Sequence, residues 1–76
     1  MGIFDNLNAT EVGVLVYLDS RHAGYTMEYA VDAETLGISV ADLIGTIKKL
    51  EAKGFLEPQG QYRGRPVYCV IRGLEQ

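Results

Sequence analysis

Seventy-six residues make one domain, close to the smallest size at which a single core suffices without disulfides or metals. An apolar fraction of 47% excludes a disordered chain, and the lone cysteine, Cys69, excludes an internal disulfide and a cysteine-cluster metal site. The net charge of −3 excludes a uniformly basic surface, and no apolar run is long enough to cross a bilayer.

Met1 to Leu7 carries Ile3, Phe4 and Leu7 among polar residues and reads as an N-terminal arm. Asn8 and Glu11 have the spacing of a helix cap and its acidic partner, with Leu7 and Val12 at the matching staple positions. Val14, Leu15 and Leu18 supply one apolar face, so the pattern predicts a helix over about 9–20. Arg21 and His22 follow in its last turn, where cations complement the helix dipole. Tyr25 to Val31 alternates, with Tyr25, Met27, Tyr29 and Val31 on one side, and predicts a short strand. Asp32 then caps a brief helix ending at Leu36. A competing reading starts that helix near Met27, because Met27, Ala30, Ala33 and Leu36 lie at three-residue steps.

The stretch from Gly37 to Gly54 organises the rest. Gly37 is a helix stop, Ser39 with Asp42 is a cap pair, and Ile38 and Leu43 are placed as a staple. Leu43, Ile47 and Leu50 form one buried stripe, and Gly54 ends a helix of about 40–53. Phe55 and Leu56 begin a strand that Pro58 confines to an edge or a bulge. Gln59 to Pro66 reads as a loop, Val67 to Ile71 as the strongest strand, and Gly73 to Gln76 as a tail. Leu15, Leu18, Leu43, Ile47, Leu50 and Val70 are expected to be buried together, with Cys69 as a small core hydrophobe.

Catalysis and cofactor binding find little support. The only Cys and the only His, Cys69 and His22, are far apart, and no glycine-rich loop opens a helix. The expectation is therefore no enzyme, no cofactor and no metal. One thiol and the lack of a signal-peptide pattern point to a reducing, cytoplasmic setting. Charge is segregated: residues 1–42 carry seven acids and one base, whereas residues 43–76 carry six bases and three acids. Such asymmetry points to an anionic partner.

Leu36-Gly37-Ile38-Ser39, the segment from Ile47 to Phe55, and Gly64-Arg65-Pro66-Val67-Tyr68 together resemble the winged helix-turn-helix domain of small bacterial and archaeal transcription regulators. They stand where that family has its turn, the end of its recognition helix, and its wing. The resemblance covers residues 8–72. It implies an α+β fold of three helices with a small antiparallel sheet, between an arm (1–7) and a tail (73–76). It also implies a DNA-binding regulator that contacts double-stranded DNA and forms a homodimer, with Ile3, Phe4 and the first helix as candidates for the interface.

The candidate contacts are Ser39, Ala41, Gly45, Thr46, Lys48 and Lys49 on the third helix, with Arg63 and Arg65 on the wing. Lysines and arginines neutralise phosphate and orient a duplex, while arginines on a hairpin tip reach a minor groove. Base edges are read by hydrogen-bonding side chains. The early exposed positions here are Val40, Ala41, Asp42, Ile44 and Gly45 instead. Binding is thus expected to rest on backbone charge and the wing. The alternative is a protein-interaction domain that docks a partner on the small apolar face of Val40, Ala41, Ile44 and Gly45.

Overall fold

A computed structural model describes residues 7–20 and 25–71. The elements are α1 (Ala9–Asp19), β1 (Tyr25–Thr26), α2 (Tyr29–Leu36), α3 (Val40–Ala52), β2 (Leu56–Tyr62) and β3 (Arg65–Val70). The three strands form one antiparallel sheet in the order β1-β3-β2. This α+β arrangement is consistent with a winged-helix-like fold in general. Ile3, Phe4, Arg21, His22 and the tail lie outside the described residues.

Local chemistry sets the helix ends. Asn8 and Glu11 form a reciprocal capping box: the Asn8 side chain accepts from the Glu11 amide at 2.8 Å, and Glu11 accepts from the Asn8 amide at 2.9 Å. Ser39 caps α3 by accepting from the Asp42 amide at 3.1 Å. Two glycines stop helices in the same way. Gly37 takes φ 73°, Ile38 N–H donates to Ala33, and Gly37 N–H donates to Glu34. Gly54 takes φ 85°, with Phe55 N–H donating to Leu50 and Gly54 N–H to Glu51. Both are Schellman closures, and in each the residue after the glycine packs with the core.

The core joins Val14, Leu15 and Leu18 of α1 to Leu43, Ile47 and Leu50 of α3, closed by Met27, Ala33, Phe55 and Leu56. Five of the six expected core residues are buried in it. Val70 is half-buried and packs on its edge. Cys69 is half-buried rather than a core residue, because it sits in register with exposed Glu57, on the face of the ladder opposite Val70.

Three expectations need correction. The strand expected over 25–31 stops at Thr26, and α2 begins at Tyr29. Asp32 is therefore not a cap but the fourth residue of α2. Fully buried, it turns back to accept from the Glu28 amide at 2.8 Å. Its other oxygen accepts from the hydroxyls of Tyr17 (2.6 Å) and Tyr25 (2.7 Å). Three donors on one carboxylate fix where β1 ends and α2 starts. Finally, the loop expected over 59–66 is mostly strand. Tyr62 pairs with Arg65, leaving a two-residue turn of Arg63 and Gly64. Gly60 takes φ 95° where the register shifts between Pro58 and Gln61, so it serves a bulge in an edge strand.

Candidate functional site

Two surfaces hold the candidate residues. The first is the hairpin of β2 and β3. After Leu56, every residue of β2 is exposed, so most of this strand lies outside the core. From Pro58 to Ile71 the sequence has two arginines and no acid. Arg63 and Gly64 have φ values of 53° and 78°, the positive pair that marks a type I′ turn. Glycine and asparagine suit those positions, whereas an arginine there is strained. The Arg63 guanidinium stacks over the Tyr62 ring, 5.3 Å from its centroid.

Arg65 stands at the other side of the turn. Its Nη1 donates to Glu28 Oε1 at 3.2 Å, tying the hairpin to the start of α2. The Met27 amide reinforces this tie by donating to the Pro66 carbonyl at 2.9 Å. Both ion-pair side chains are about half exposed, so the pair is weak on its own and leaves Arg65 accessible to an anion.

The second surface is the outer side of α3. Ala41, Asp42, Lys48 and Lys49 are exposed, and Val40 is 41% exposed. Ser39 is exposed, but its hydroxyl is engaged in the cap. Thr46 is buried, at 8% exposure. It stands three residues from Leu43 and four from Leu50, on the inward stripe, so it is not the outward polar contact expected from its type. It does line a shallow polar groove of about 290 Å³, with Asn8, Thr10, Ala41, Asp42, Gly45 and Lys49. Lys53 turns away from this surface to pair with buried Glu11 at 3.0 Å. The Asn8 amide, and then Lys53, hold the Glu11 carboxyl below its ordinary range against the cost of burial.

Gly45 has no neighbour within 4 Å of where a Cβ would stand. The fold does not require this glycine. Gly45→Ala is therefore expected to raise stability by about 0.5–1 kcal/mol through helix propensity alone, read as a higher urea midpoint.

The cations are legible in the sequence, but their partners are not. Glu28 and Glu11 lie 37 and 42 residues from Arg65 and Lys53, and no local pattern links them. The strain at Arg63 had a signal, since Arg-Gly occupies the place of the Asn-Gly of a tight hairpin. Among the described residues no group of His, Cys, Asp and Glu could hold a metal ion, and no helix is long and apolar enough to cross a membrane. Comparison with protein-family models, curated proteins and solved structures finds no match.

Proposed function

We propose that this domain binds double-stranded DNA without strong sequence preference, through its wing and the lysines of α3, as a small regulatory module. The observation that carries the reading is Arg63. A cation occupies a left-handed turn position that disfavours it, at the tip of a hairpin whose outer part, from Pro58 onward, carries no acid. Backbone strain held at an exposed tip points to use of the side chain rather than to the turn. Lys48 and Lys49 add charge on α3, and Arg65 can exchange Glu28 for a phosphate. Val40, Ala41 and Gly45 offer no hydrogen bonds to base edges, so phosphate contacts dominate.

The test is a salt titration of binding to a mixed-sequence duplex. Affinity should fall steeply with salt, because each neutralised phosphate contributes about 0.9 to the log–log slope. Arg63→Asn creates Asn-Gly, so the fold should gain about 0.5–1 kcal/mol while binding weakens and the slope flattens by about one contact. Arg63→Ala with Arg65→Ala should flatten it by about two. A parent that ignores duplex DNA at low salt ends this reading.

A second reading has its own observation: the open space above Gly45 beside exposed Val40 and Ala41 suits a partner helix. Under it, Ala41→Glu abolishes capture of a protein partner and the arginine changes do little.

A further inference from the structure

We infer that the wing tip is a stacking platform for an unpaired base beside a duplex, with Tyr62 as the platform; the inference rests on the DNA-binding reading above. The chain has five tyrosines. Tyr17, Tyr25, Tyr29 and Tyr68 are partly buried and pack against the core. Tyr62 does not join them and is 56% exposed, at the last position of β2. Its cross-strand partner in the ladder is Arg65, and Arg63 lies over its ring. One guanidinium thus lies over an exposed aromatic ring at the hairpin turn, and a second arginine, paired with Glu28, stands opposite that ring in the ladder.

That grouping fits a particular ligand chemistry. A base offers a flat face to an aromatic ring, and the phosphate beside it accepts from guanidinium. Within an intact duplex the base faces are already stacked on one another, so the ring of Tyr62 gains little there. A base at a single-stranded tail has a free face. Stacking also tolerates any base, which agrees with an α3 surface that carries no groups for reading base edges. The two-residue turn favours the same role. It holds Tyr62 next to Arg63 at a fixed register, so the platform is formed before the ligand arrives.

The experiment compares two labelled probes by fluorescence anisotropy with the full chain: a blunt duplex, and the same duplex with a short thymine tail. The tailed probe should bind about tenfold tighter, the order expected for one base–aromatic stack. Tyr62→Ala should remove that preference and leave blunt-duplex affinity within about twofold, while Tyr62→Phe should keep most of it. Tyr62 lies outside the core, so both variants should melt close to the parent. Equal affinity of the parent for the two probes overturns the platform and leaves duplex binding standing. A preference that survives in Tyr62→Ala overturns it as well. If neither probe binds, the platform and the DNA-binding reading fall together.

Discussion

Ile47→Ala is expected to lower stability by about 2–5 kcal/mol. Ile47 is fully buried in the middle of α3, between Leu43 and Leu50, where that helix meets Leu15 and Leu18 of α1. Removing its outer carbons loses their transfer energy and leaves a cavity that capped, glycine-terminated helices cannot easily close. A domain of this length has roughly 4–11 kcal/mol in total, so the change removes a large share of its stability. Urea denaturation gives the measure: a midpoint far below the parent's with an unchanged slope. Ile47→Val, which removes one methyl group, should cost only about 0.5–1.5 kcal/mol. A parent-like midpoint for Ile47→Ala would remove α3 from the centre of the core.

The helices could be read from the sequence because their signals are local. Asn8 with Glu11, Ser39, Gly37 and Gly54 act within five residues of themselves, and each does in the fold what its position implied. The boundary between β1 and α2 could not be read that way. Tyr25–Val31 satisfies a period of two, and Met27–Leu36 a spacing of three. A buried carboxylate decides between them, and one of its donors, Tyr17, lies fifteen residues earlier in the chain. The hairpin is hidden from composition for a related reason. Gly60, Gly64 and Pro66 have the composition of a loop, yet pairing across the hairpin turns one glycine into a bulge and one into a tight turn. Composition counts breakers, whereas register assigns them.

The candidate site was legible as residue types and not as contacts. Cations were visible on the third helix and the hairpin. That Lys53 would be drawn into the core's edge by Glu11, and Arg65 to Glu28, depends on chain reversals with no local signature. Thr46 is the instructive exception. Its inward position follows from the same periodicity that places Leu43 and Leu50, so helical phase and not polar type sets its burial. Tyr62 gave no periodic signal, and its exposure follows from the hairpin extending past the core.

Asp32→Ala is expected to cost about 3–5 kcal/mol, although it removes few carbon atoms. The side chain is fully buried and takes three hydrogen bonds: from the hydroxyls of Tyr17 and Tyr25, and from the Glu28 amide. These donors come from α1, β1 and the start of α2, so one carboxylate fastens three parts of the fold. Truncation takes the acceptor from all three at once, and these partly buried donors lose their shared partner together. Asp32→Asn separates charge from shape. Its carbonyl oxygen can still accept from both tyrosines, but its amide must face the Glu28 N–H, donor against donor. The expected cost is about 1–2 kcal/mol, measured by urea denaturation beside the alanine variant. A second readout is alkaline stability. Burial, and then Asp32, raise the Tyr25 hydroxyl well above its ordinary pKa of 10.0. Above that value the unfolded chain releases the proton while the folded chain keeps it, so parent stability should fall as pH rises. In Asp32→Asn the carboxylate charge is gone, and that fall should be shallower. Equal stability of parent and Asp32→Ala would mean that β1 and α2 are held by the core alone.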